Sequence, residues 1–125
     1  MPIPIAIALG GALGSWLRWV LATEVTERAG VVGAGTFAVN LVGAFVLGVV
    51  FGLIEMRFPE TPRWVGSGIS IGVLGGFTTF SSFTLDAFQQ VEDGRWGLAV
   101  AYVLGTVVLG LLAVVAGVAL GRSAG

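Results

Sequence analysis

Cysteine, histidine and lysine are all missing from the 125 residues of this chain. Without cysteine there is no disulfide, no thiolate nucleophile and no Cys-based metal site. Without histidine, neither a Ser–His pair nor an imidazole metal centre can be built. Charge is scarce as well: 6 basic and 7 acidic residues make up 10% of the chain, against roughly a quarter in a soluble domain. With a net charge of −1 the chain lacks the basic footprint of a nucleic-acid binder, and no nucleic acid is expected as a partner. No phosphate-binding glycine motif accompanies these absences. Enzymatic function and ATP-driven pumping are therefore not expected.

What remains is apolar. Hydrophobic residues make up 56% of the chain and the mean hydropathy is +1.00. Met1–Leu17 carries no charge and continues past Arg18 to Thr23, and Val31–Ile54, Trp64–Leu85 and Trp96–Gly121 are uncharged. Each run is about the 20 residues that an α-helix needs to cross the hydrocarbon. The chain thus reads as an all-α membrane protein, one integral domain with four transmembrane helices at about 3–23, 32–54, 64–90 and 96–121. No Lys or Arg precedes the first run, so it is not a signal peptide. Trp16, Trp19, Trp64 and Trp96 lie near span ends, where amphipathic rings anchor at the interface. Three charged connections separate the spans: Glu24, Glu27 and Arg28; then Glu55, Arg57, Glu60 and Arg63 with Pro59 and Pro62; then Glu92, Asp93 and Arg95.

Four spans place both termini and the second connection on one side, with Arg57, Arg63 and Arg122 there and Arg18, Arg28 and Arg95 on the other. Orientation follows an excess of positive charge on one side, and this chain has none. Either the few arginines simply happen to balance, or the chain inserts both ways, in which case two copies can pair antiparallel about a two-fold axis in the membrane plane. Glycines at four-residue spacing, Gly10/Gly14, Gly48/Gly52, Gly68/Gly72/Gly76 and Gly117/Gly121, let helix backbones approach where no hydrophobic effect drives association.

The least ordinary stretch is Gly75–Phe83, GGFTTFSSF. Two glycines followed by Thr78, Thr79, Ser81 and Ser82 predict a break in the third helix near Gly75–Thr79. Broken helices in hydrocarbon are tolerated only where the freed backbone groups meet protein partners or a water-filled cavity. Elsewhere the deep polar residues are Asn40, Tyr102 and Thr106. Asn40 is either an interhelical tie or a ligand to something passing. Tyr102 and Thr106 lie one turn apart on one helix face and form a short polar stripe. Phe80 and Phe83, three apart, are helix neighbours, and the positive edges of their rings could face an anion. No Lys or Arg lies deep in any span to trap an anion, and conduction requires that ions also leave.

With GTFAVN at Gly35–Asn40 and GGALGSWLR at Gly10–Arg18, the GGFTTFSSF stretch resembles the CrcB/Fluc fluoride channels over all four spans. The resemblance implies an antiparallel, dual-topology homodimer in a prokaryotic inner or plasma membrane that exports fluoride passively through two pores. It implies Phe80 and Phe83 as pore phenylalanines, Asn40 as an anion-coordinating amide, Arg18 beside an aqueous vestibule, and Tyr102 and Thr106 on a polar track. It also implies a structural sodium ion (Na+) on the dimer axis, held by the main-chain carbonyls of Gly75 and Thr78. Fluoride is small and strongly hydrated, so its path must supply closely placed donors. Asn40, Thr79, Ser81, Ser82 and Thr106 are the candidates. Two departures stand out: Asp86 replaces the family's common glutamate, and Gly110 occupies a position where a hydroxyl is frequent. The track either ends early or continues through water.

Two alternatives belong to other classes. A proton-coupled drug exporter needs a titratable carboxylate deep in the membrane, and the first span has none before Glu24. A structural membrane subunit would explain the glycines but leaves the hydroxyl-rich break unexplained.

Overall fold

The computed structural model describes residues 1–124. All regular structure among the described residues is helical: α1 (Ile3–Ala29), α2 (Ala34–Met56), α3 (Arg63–Ser67), a π-helical stretch (Gly68–Leu74), α4 (Gly75–Phe77), α5 (Ser81–Glu92) and α6 (Trp96–Ser123). The segment from α3 to α5 forms one interrupted span, Arg63–Glu92, so four helices are long and apolar enough to cross a membrane.

The first connection is shorter than its charges suggest. Glu24, Glu27 and Arg28 belong to the last turns of α1, where Arg28 Nε donates to Glu24 Oε1 at 2.7 Å. At about 1.5 Å per residue, the 27 residues of α1 extend about 40 Å, beyond the ~30 Å hydrocarbon layer. The chain turns at Gly30 (φ 67°) and Gly33 (φ 91°), both left-handed. A side chain at Gly33 would also strike the Tyr102 ring and the Gln90 amide, so that turn is fixed from two directions.

Two glycine seams hold the helices together. In the first, a Cβ on Gly10 would overlap the Gly68 carbonyl and one on Gly14 the Val73 carbonyl, while Gly76 sits against the Gly11 backbone. In the second, a Cβ on Gly48 would overlap the Val114 carbonyl, one on Gly117 the Phe45 carbonyl, and one on Gly121 the Val49 carbonyl. All the four-spaced glycines therefore mark backbone contact, between α1 and the third span and between α2 and α6. Apart from Val39, Leu74, Phe83 and Tyr102, few large side chains are buried. Most apolar side chains point outward, Leu111 and Trp19 among them, as hydrocarbon surroundings permit.

The helix break lies at the hydroxyl end of the predicted stretch. Gly75 and Gly76 remain helical, and the chain becomes extended at Thr78 (φ −85°, ψ 158°). The cause is Asn40, whose Oδ1 accepts the Thr79 N–H at 2.8 Å and whose Nδ2 donates to the Thr79 carbonyl at 3.0 Å. A side-chain amide thus substitutes for two helical backbone bonds, which is what the hydrocarbon demands of an interrupted helix. Helix α5 restarts as the Thr79 hydroxyl accepts the Ser82 N–H at 3.2 Å, in the manner of a capping threonine.

Candidate functional site

The break opens onto a groove of about 420 Å³ whose lining includes Asn40, Ser70, Thr79, Phe80, Phe83 and Thr106. Helix α2 contributes Asn40, the two halves of the third span contribute the next four, and α6 contributes Thr106. Asn40 is bound to the Thr79 backbone through its carbonyl and one amide hydrogen. An amide nitrogen carries two hydrogens, so one donor remains. The tie and the donor are the same residue. Thr106 is buried and its Oγ1 meets no hydrogen-bond partner. A buried hydroxyl without a partner is costly, and this one lines the groove.

The two phenylalanines differ sharply in surroundings. Phe83 is 7% exposed, whereas Phe80 is 77% exposed at the edge of the groove. Their ring centroids are 6.0 Å apart and the planes are tilted by 53°. Phe83 also packs on Tyr102 at 5.2 Å. Tyr102 does not line the groove, and its hydroxyl donates to Asp86 Oδ2 at 3.2 Å. The Tyr102/Thr106 stripe is therefore divided: the threonine faces the groove, the tyrosine a carboxylate. Asp86, though a methylene shorter than glutamate, still reaches that hydroxyl. Gly110 leaves open space where a Cβ would stand.

A second cavity, about 260 Å³, lies on the other side of Thr79 and is lined by Ser15, Arg18, Thr23, Thr36, Thr79 and Ser82. Arg18 Nη1 reaches the Thr78 carbonyl at 3.5 Å. Ser82 belongs to this cavity. Ser81 is exposed and its Oγ lies 3.4 Å from Thr79 Oγ1.

No cluster of acidic side chains suited to a metal occurs among the described residues, so a cation here would be held by main-chain oxygen. The Thr79 N–H that would close on the Gly75 carbonyl in a continuous helix goes to Asn40 instead, and Gly75 is exposed. The Thr78 carbonyl meets only Arg18, at the long distance of 3.5 Å. Both oxygens lie at a helix C-terminus, where the dipole favours a cation. Their hard-oxygen character suits an alkali ion.

Three polar residues escaped the sequence reading. Thr36 lines the Arg18 cavity, one turn before Asn40 on the same face, and that spacing was legible. Gln90 is 1% exposed, with Nε2 donating to the Val32 carbonyl at 2.9 Å; it lies one turn beyond Asp86. Ser70 lines the groove, and nothing in its apolar neighbourhood sets it apart.

A broken membrane helix beside a groove lined by donors and aromatic rings defines a multi-pass membrane protein built around a path for a small polar solute. The family model described as "CrcB-like protein, Camphor Resistance (CrcB)" matches residues 5–118, and the chain belongs to that family. It is 41% identical over 119 residues to a protein of Chloroflexus aurantiacus named "Fluoride-specific ion channel FluC", covering 94% of each. Proteins of the same name from Agrobacterium fabrum (42% over 118 residues, 94% of each) and Pseudomonas fluorescens (40% over 121 residues, 96% of this chain and 97% of the relative) are equally similar. The chain is thus a multi-pass integral protein of the cell membrane.

Proposed function

We propose that this chain is a fluoride-specific ion channel that lets fluoride leave the cell passively and so relieves its toxicity. It is a conduit, not an enzyme. The observation that carries this reading is the groove itself: Asn40, Thr79 and Thr106 offer polar groups on one wall, Phe80 and Phe83 offer ring edges, and none of its lining residues is charged. Amide and hydroxyl donors replace the water that fluoride loses, and ring edges carry partial positive charge. No arginine or lysine side chain lines the groove, so no guanidinium or ammonium holds the anion tightly there. Arg18, in the adjoining cavity, raises the local concentration of anions without entering the narrow part.

The active form is an antiparallel homodimer of dual topology with two pores. Phe80, 77% exposed in one copy, is an aromatic ring at the edge of a polar groove that a second copy would cover. Gly75 and Thr78 of both copies would then hold a sodium ion (Na+) by their main-chain carbonyls at the two-fold axis, where it supplies a fixed positive charge. Membrane lipid surrounds the assembly along the outward apolar faces of α1 and α6. A proton-coupled exporter would need an acidic side chain in the path, and the groove lining contains none.

Purified protein in liposomes loaded with fluoride, with a potassium ionophore to balance charge, tests the reading. Fluoride leaves rapidly only when the ionophore is present, and chloride stays behind. Folded protein that releases no fluoride, or releases chloride equally, refutes it.

A further inference from the structure

The groove and the Arg18 cavity share Thr79. At its other end the groove shares Ser70 with a third cavity, about 350 Å³, lined by Thr61, Arg63, Ser67 and Ile54 among others. Thr79 and Ser70 thus each border two of the three spaces. Arg18 lies in the half of α1 that leads to the first connection, whereas Arg63 opens the third span from the second connection. Those connections are on opposite sides of the membrane, so the series of cavities runs from one face towards the other with a guanidinium near each end.

Two of the three hydroxyls of the third cavity, those of Ser67 and Ser70, are free to serve. Thr61, Thr78, Thr84 and Ser123 each spend their hydroxyl proton on a nearby backbone carbonyl. Ser67 and Ser70 have no such bond among the described residues, and both line the cavity. Three residues apart, they share a helix face. Arg63 forms no ion pair among the described residues, while Glu55 at the same end is held by Arg122 at 2.8 Å. An exposed guanidinium gathers anions without binding them tightly, and two free hydroxyls beyond it can take over hydration step by step.

We infer that Arg63, Ser67 and Ser70 form the second mouth of the anion path, leading to the groove at Ser70. The inference rests on the channel reading above and assigns roles to three residues outside the break motif. Ser70 is a specificity-determining position because it stands where the mouth meets the groove. Arg63 raises the anion concentration at the entrance.

Absence of cysteine makes the test clean: Ser67→Cys and Ser70→Cys each introduce the chain's only thiol. In liposomes where the unmodified protein passes fluoride, a small anionic methanethiosulfonate reagent is expected to react with both thiols and cut fluoride flux about tenfold. Added fluoride slows the reaction. Leu111→Cys, on an apolar helix surface 65% exposed and outside the three linings, stays unmodified by the same reagent. Ser70→Thr keeps the hydroxyl and the flux, whereas Ser70→Val loses both. Thiols that do not react, or that react with flux unchanged, overturn the second mouth while leaving the channel reading intact. A reaction rate governed by anionic lipid content instead of fluoride makes the site a phospholipid phosphate seat and overturns it too. Absence of flux in the unmodified protein overturns both readings.

Discussion

Replacing Asn40 by alanine separates its two roles. The change removes both hydrogen bonds to the Thr79 backbone, 2.8 and 3.0 Å long, and leaves an N–H and a carbonyl at the break without protein partners. A net hydrogen bond contributes about 1 kcal/mol, and an unsatisfied buried group costs about 1–3 kcal/mol. Measured interhelical bonds in membranes average nearer 0.6 kcal/mol. Because Asn40 and Thr79 lie beside a groove that water can enter, the lower part of the range applies, about 2 kcal/mol for the pair of bonds. That is roughly a thirtyfold change in the folding equilibrium. Asn40→Asp sharpens the comparison: its carboxylate still accepts the Thr79 N–H but cannot donate to the carbonyl, and it places negative charge in the anion path. Unfolding titrations in detergent, with fluoride flux measured in parallel, should show Asn40→Ala less stable by about this amount. Asn40→Asp, whose carboxylate faces the Thr79 carbonyl and brings a charge into the membrane, should also be less stable than the parent and should lose the flux. Equal stability for all three proteins would refute the argument that Asn40 causes and holds the break.

Phe80→Ile is expected to lower fluoride flux with the fold unchanged, since the ring is 77% exposed; Phe83→Ala, 7% exposed, should instead destabilise by about 3 kcal/mol. Unfolding curves and flux on both variants check this, and a Phe80→Ile channel conducting like the parent removes that ring from the path. Gly48→Ala drives a methyl into the Val114 carbonyl and should cost about 1–3 kcal/mol, whereas Gly110→Ala meets open space and should be near neutral. Equal effects in the same titration would contradict the glycine seam. Replacing sodium by a bulky organic cation during reconstitution should weaken the dimer and reduce flux, as read by cross-linking and fluoride release; indifference to sodium would leave the Gly75 and Thr78 carbonyls without that role.

The chain's membrane character and its four-helix count were legible in the sequence, because both depend on the free energy of moving local stretches from water into hydrocarbon. The region of the break was legible for the same reason, since GGFTTFSSF concentrates glycines and hydroxyls in one place. The glycine pairs could be counted, but their partners could not, because a seam joins residues such as Gly48 and Val114 that only packing brings together. The exact point of the break depended on a contact across 39 positions: Asn40 captures Thr79, while Gly76 stays helical against the Gly11 backbone of α1. Thr106 joined the groove while Tyr102, one turn away, turned to Asp86, a division that helix periodicity could not express. Ser70, one hydroxyl among apolar neighbours, became a junction between cavities only when the third span was laid between α1 and α2. Local transfer energies are written residue by residue along the chain; hydrogen-bond partners and shared cavities arise from pairs distant in sequence, and tertiary structure alone decides them.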